Sequence, residues 1–276
     1  MKNIFIITLL IVISFSNSYS NPPLKDMKNS FGLIQMNLKL FPLPDSNVDP
    51  IKINTINNII DSPLLRASSF IVKHKKETTI ILTSEHVCSE IMNANNKKSI
   101  SGFIELLSKY TDFTELFILD KSKQSKIVIK PIVFVKDFNG NKYNIISINN
   151  LDKIADICLV ETESVWGQVS KISQKDCSYG EKVYNISSSG GIYSPKSIPF
   201  RSGYFSGIHI DKSFTKQNIS NENNLYTIPA LPGSSGSGVY NSKGEICGNI
   251  NISYKRSDVS FGATRKSIIS LLNSKN

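Results

Sequence analysis

From Ala67 onward the chain is written in short runs of β-branched, aliphatic and aromatic residues divided by turn residues. Residues 70–72, 78–83, 126–137, 143–148, 157–161, 182–186, 204–210, 225–228 and 245–252 read as strands. Helical spacing is confined to two segments: 101–110, with Phe103, Leu106 and Leu107 on one face, and 266–273, with Ile268, Ile269, Leu271 and Leu272. Strands this short and this numerous must bury one face against each other. The expected fold class is therefore all-β, a sandwich or a barrel, closing on a C-terminal helix. No internal repeat, heptad pattern or low-complexity tract points to a scaffold protein.

The first residues set the compartment. Met1-Lys2-Asn3 gives a positive start, and Ile4 to Phe15 an apolar run that ends in Ser18-Tyr19-Ser20, with small residues where a signal peptidase reads. A bilayer span needs about 20 apolar residues, so 1–20 reads as a signal peptide cleaved after Ser20, with an uncleaved anchor as the alternative. No later stretch approaches membrane length, so the expected product is secreted or periplasmic, without membrane insertion. Residues 21–65 hold six of the eleven prolines and read as an N-terminal extension: a pro-segment, a strap on the main domain, or a lead.

The net charge of +10 raises the question of nucleic acid. Because the lysines are scattered singly or in pairs, without a stripe of interleaved aromatics, a solvated basic surface is the better reading, and no nucleic-acid partner is expected. Four cysteines, Cys88, Cys158, Cys177 and Cys247, are an even count that an oxidising compartment lets pair, in any of three connectivities. With no CxxC spacing and three histidines, a metal site is not expected, and no cofactor is implied.

Three segments carry chemistry. In Pro232-Gly233-Ser234-Ser235-Gly236-Ser237-Gly238 the glycines let successive N–H groups converge beside a hydroxyl, so Gly233 and Ser235 N–H can form an oxyanion hole and Ser235 can be the nucleophile. Thr78 to Thr83 run as a strand toward His86, which positions a general base. Asp156 opens the apolar run at 157–161, where a half-buried carboxylate needs a partner such as an imidazole N–H. Each has an ordinary reading when taken alone: a glycine-serine turn, a satisfied histidine, a strand-start cap. His74, among lysines, and His209, near Asp211, read as surface residues.

Taken together, the order histidine, aspartate, serine and the local sequences resemble the trypsin or chymotrypsin-like serine proteases, in the texture of the bacterial periplasmic high-temperature-requirement type and related short bacterial and phage forms. Ser68-Ser69-Phe70 is similar to that family's S-G-F, Leu82-Thr83-Ser84-Glu85-His86 to its L-T-A-x-H, and Asp156-Ile157-Cys158-Leu159-Val160 to its D-[IL]-A-[VL]-L. Pro232 to Gly238 matches P-G-N-S-G-G-P except at Ser234, Ser237 and Gly238. Gly180 to Ile186 resembles the run opening the second barrel, and Gly244 to Ile250 with Phe261-Gly262-Ala263 the closing strands.

The resemblance implies two six-stranded antiparallel barrels over 66–276, the first about 66–170, the second about 171–265, then a helix at 266–273. It implies a secreted serine endopeptidase acting on protein or peptide substrates through His86, Asp156 and Ser235; the alternative is a protease-like domain that only binds. Ser234 replaces the aspartate that captures a new N-terminus in digestive relatives, so that activation switch is not expected. An α/β-hydrolase does not fit: its nucleophile comes first in the chain and sits in G-x-S-x-G. Ser237 is a poorer nucleophile than Ser235, since Ser235 stands where its oxyanion glycine should be. If His86 meets Asp156, Cys88 and Cys158, each two residues on, come close enough to bond, leaving Cys177 for Cys247; buried free thiols are the alternative. The primary pocket would draw on Ile228, Pro229, Ala230, Ile250 and Asn251. It holds no acid, so small or medium apolar residues are expected there rather than Lys or Arg.

Overall fold

The computed structural model describes residues 23–42, 44, 49–59, 63–94, 127–211, 221–253 and 258–274. The expected leader at 1–20 and the expected helix at 101–110 lie outside them. Helix α1 (Leu24–Ser30) runs into β1 (Phe31–Pro42), and α2 (Pro50–Ile59) precedes β2 (Leu65–His74) and β3 (Thr78–Thr83). After α3 (Glu85–Asn93) come β4 (Ile127–Asp137), β5 (Lys142–Asp152) and β6 (Ile157–Glu163). These six strands close into an antiparallel barrel in the order β1-β2-β3-β6-β5-β4.

The barrel thus takes a strand from within 21–65, the segment expected as an extension. Phe31 lies opposite Phe70 on β2, and Pro42 opposite Ile127 on β4. The physical reason is visible in β1 itself: Ile34, Met36 and Leu38 alternate with Gln35, Asn37 and Lys39, the period of a strand. Phe31, Leu33, Ile34, Met36 and Leu38 are all buried. Ahead of it, α1 leans on the second half of the molecule, where Ser30 Oγ and Tyr240 OH share a hydrogen bond at 2.9 Å.

The second half holds β7 (Lys182–Ile186), β8 (Phe200–Asp211), β9 (Asn221–Tyr226), β10 (Ser237–Tyr240), β11 (Ile246–Ile250), β12 (Ile252–Ser253) and β13 (Ser260–Ala263). They pair in the order β11-β10-β7-β8-β9-β13-β12. β11 and β12 are one strand path broken only at Asn251, so the curled sheet returns to where it began. An antiparallel bridge between Gly248 and Thr264 and the bond from Asn251 N to Phe261 O, 2.9 Å, draw its ends together. The single run expected at 245–252 is split there, where Asn251 gives its carbonyl to Ser235 Oγ and its side chain to Ser84 Oγ and Ala155 O. The closing helix α4 (Arg265–Asn273) starts at Thr264, whose Oγ1 accepts from Ser267 N, and buries Ile268 and Leu271.

One apolar cluster spans both halves, joining Phe31, Leu33, Phe70, Leu82 and Ile157 of the first to Tyr184, Ile186, Tyr240 and Ile246 of the second. Across that seam Ser68 N donates to Ser235 O at 2.8 Å. Gly236, at φ +84°, makes the approach possible: a Cβ there would fall well inside 3.0 Å of Ser68 O and Thr83 Oγ1.

Candidate active site

His86 lies in the first turn of α3 rather than at the end of a strand. β3 stops at Thr83, and Ser84, with extended backbone (φ −75°, ψ 145°), starts the helix. Asp156 immediately precedes β6 at φ +53°, a strained angle that turns its carboxylate back toward α3. Its Oδ1 accepts the His86 backbone N–H at 2.9 Å, and the ring Nδ1 stands 2.8 Å from Oδ2 and 3.1 Å from Oδ1. A carboxylate only accepts, so Nδ1 carries the proton and Nε2 is left with the lone pair. Burial works against the charged imidazole, but the hydrogen bond and charge of Asp156, joined by Glu90 and Glu85, outweigh it and hold the pKa above the usual 6.5. The His86 side chain is 42% exposed and Asp156 20%, so the pair opens onto solvent.

Ser235 sits in the loop before β10, half-buried, and its Oγ donates to Asn251 O at 3.2 Å; the hydrogen bonds of His86 go to Asp156. Asn251 ties the three segments together. Its Oδ1 accepts from Ser84 Oγ at 2.7 Å, two residues before His86, and its Nδ2 donates to Ala155 O at 3.1 Å, beside Asp156. This buried asparagine, expected as a pocket wall, is the junction of the site.

The loop at 232–236 alternates in a way that aims two donors. Pro232 O accepts from Gly190 N (2.9 Å), Ser234 O from Ser237 N (3.0 Å) and Ser235 O from Ser68 N (2.8 Å). Gly233 O accepts from Ser68 Oγ (2.7 Å) and Ser188 Oγ (2.9 Å). Ser234 N donates to Leu231 O and Gly236 N to Ile250 O. Among the described residues, the N–H groups of Gly233 and Ser235 alone in this loop have no partner. Carbonyl and N–H of a trans peptide point opposite ways, so each bonded carbonyl directs the N–H behind it. Two free donors beside the Ser235 hydroxyl are what an oxyanion requires.

Ser237 is fully buried, with Oγ accepting from Asn185 Nδ2 at 2.8 Å. Ile228, Ala230 and Ile250 pack in the core of the second half, and Pro229 is half-buried, its carbonyl accepting from Arg201 Nη1 at 3.2 Å. His74 pairs with Thr79 Oγ1 on its hairpin, and His209 meets the Phe261 ring edge-on. Cys88 is bonded to Cys158, Cα atoms 6.7 Å apart, directly behind the His86–Asp156 pair, and Cys177 to Cys247 at 6.0 Å. Ser68 and Ser188, which grip Gly233, were not singled out for chemistry by sequence reasoning; the signal for Ser68 was its place in the S-S-F stretch.

Residues 67–248 match the family model of the trypsin-like peptidase domain. Among solved structures, the chain is similar to the inactive form of Rv3671c from M. tuberculosis, in two crystal structures. One, of a mutant, gives a TM-score of 0.56 at 10% identity, covering 93% of this chain and 91% of that one. The other, of the Rv3671c protease, gives 0.55 at 10% identity over 93% and 94%. A serine endoprotease from Yersinia pestis gives 0.54 at 12% identity, over 90% of this chain and 63% of that one. No curated protein matches the sequence.

Proposed function

Because this chain belongs to the trypsin-like peptidase domain family it is a serine endopeptidase, and we propose that it cleaves peptide bonds through His86, Asp156 and Ser235 by way of an acyl-enzyme. The observation that carries this reading is the pair of unpartnered N–H groups, Gly233 and Ser235, next to the Ser235 hydroxyl. Ser235 Oγ attacks the substrate carbonyl carbon and gives its proton to His86 Nε2, exchanging its bond to Asn251 O for one to the imidazole as substrate binds. The carbonyl oxygen becomes an oxyanion held by the two N–H groups, each worth roughly 3 kcal/mol in such sites. His86 then protonates the leaving amine, the C–N bond breaks, and water, activated by the same nitrogen, hydrolyses the acyl ester to regenerate Ser235. Asp156 keeps the proton on Nδ1 throughout and stabilises the imidazolium.

Export fits the two bridged cysteine pairs and the leader-like pattern at 1–20. Among the described residues no helix is long and apolar enough to cross a membrane. The test is labelling of the folded chain with a fluorophosphonate probe. Labelling that disappears in Ser235→Ala supports the peptidase mechanism. An unlabelled wild-type chain favours a protease-like domain that only binds.

A further inference from the structure

The oxyanion loop is gripped from the other barrel. Ser68, on β2 of the first barrel, is fully buried, and its Oγ stands between two groups of the second half. It accepts the Ser188 N–H at 3.0 Å and donates to Gly233 O at 2.7 Å. Ser188 Oγ donates to the same oxygen at 2.9 Å, so one carbonyl, with two lone pairs, receives both hydroxyl protons. Ser188 leads into the 3-10 turn Ser189–Gly191, whose Gly190 N–H holds Pro232 O. Arg66, two residues before Ser68 and so on the same face of β2, donates from Nη1 to Gly191 O. Two alternate residues of one first-barrel strand therefore hold the turn that holds the loop.

We propose that Ser68 is a positioning residue for the oxyanion hole: its hydroxyl holds the Gly233 carbonyl and the Ser188 N–H, and through Ser188 the turn whose Gly190 N–H fixes Pro232 O, the carbonyl that shares a peptide with the Gly233 N–H. The inference rests on the mechanism proposed above and adds a device to it. Gly233 sits at φ +95°, a region open to glycine, so the peptides on its two sides depend on their bonded carbonyls, Pro232 O on one side and Gly233 O on the other. The Ser234 side chain makes only long bonds, to Leu231 N at 3.3 Å and Ser187 Oγ at 3.5 Å. The order must come from outside the loop, and Ser68 with Ser188 supplies it.

The experiment compares Ser68→Ala with the full wild-type chain, disulfides formed, by the second-order rate of fluorophosphonate labelling at Ser235 across pH. The expected result is a rate about ten- to hundredfold lower, part or all of what one lost oxyanion donor costs. The pH midpoint of labelling should stay unchanged, because Ser68 does not touch the His86–Asp156 pair. Ser188→Ala should fall in the same direction, and the double variant by less than the product of the two, since both hydroxyls act on one carbonyl. If Ser68→Ala does not fold, Ser188→Ala is read by the same criteria. Labelling within twofold of wild type, or a loss accompanied by a shifted midpoint, overturns the inference. A wild-type chain with no label at Ser235 overturns the mechanism and this inference with it, whereas normal wild-type labelling with Ser68→Ala at parity overturns this inference alone.

Discussion

Replacing Gly233 by alanine isolates the loop geometry on which catalysis is proposed to depend. At φ +95° an L-residue carries a backbone penalty of about 1–2 kcal/mol. The new Cβ would also fall well inside 3.0 Å of the Ser188 carbonyl oxygen, a backbone atom that cannot swing aside, so the loop must move. Moving it withdraws the Gly233 N–H from the position it shares with Ser235 N–H, which costs about 10²- to 10³-fold in turnover. The fold should lose roughly 2–8 °C of melting temperature, at about 2–4 °C per kcal/mol for a chain of this size. Gly180 supplies the control, with φ +76° and nothing within 4 Å of an added Cβ. Gly180→Ala should show a similar thermal loss with labelling and peptide hydrolysis unchanged. The assay is hydrolysis of an unstructured protein such as casein, alongside fluorophosphonate labelling and thermal melting. Gly233→Ala activity within a few fold of wild type, or an equal loss in Gly180→Ala, would refute the reasoning.

Asp156→Asn should lower turnover about 10⁴-fold, because an amide can hold the imidazole in the wrong tautomer. The wild-type base works only when neutral and its pKa is held above 6.5, so activity should fall as pH drops through that raised value. With the carboxylate gone, only the charges of Glu90 and Glu85 still oppose burial, and the residual activity should persist to lower pH; a midpoint moving upward contradicts the assignment. The same raised value means that the protonated pair stabilises the fold fully below the unfolded value near 6.5, and that this contribution is lost as pH rises through the folded one. Cys88→Ala with Cys158→Ala opens a loop with a sequence separation of 70 and should cost about 4 kcal/mol in urea unfolding. A chain beginning at residue 66 lacks β1 and the buried Phe31, Leu33, Ile34, Met36 and Leu38. At about 1.5–3 kcal/mol each these match the whole net stability of a domain, so that fragment should not give a cooperative melt. A folded, active fragment would show that the strand is dispensable.

Much of the architecture could be read before any coordinates. The short β-branched and apolar runs at 78–83 and 157–161 mark β3 and β6, and the apolar face of 266–273 marks α4, because strand propensity and helix period are local properties. β1 alternates apolar and polar residues from Ile34 to Lys39, yet it lies in a proline-rich stretch that reads as an extension. The break at Asn251 was hidden for a different reason. An asparagine inside an apolar run looks like a tolerated polar residue, until Ser84, Ala155 and Ser235 are seen to need its amide and carbonyl.

By itself the sequence determined the strand-rich class and the order of the histidine, aspartate and serine segments, along with the glycine spacing of the loop around Ser235. These are set by residue type and near-neighbour spacing, which need no knowledge of the rest of the chain. Only the tertiary structure decided that β1 closes the barrel, that Asn251 joins the three segments, and that Ser68 reaches Gly233 across a separation of 165 residues. A hydroxyl bonding to a distant carbonyl leaves no period in the sequence, because its partner is chosen by the packing of two barrels against each other.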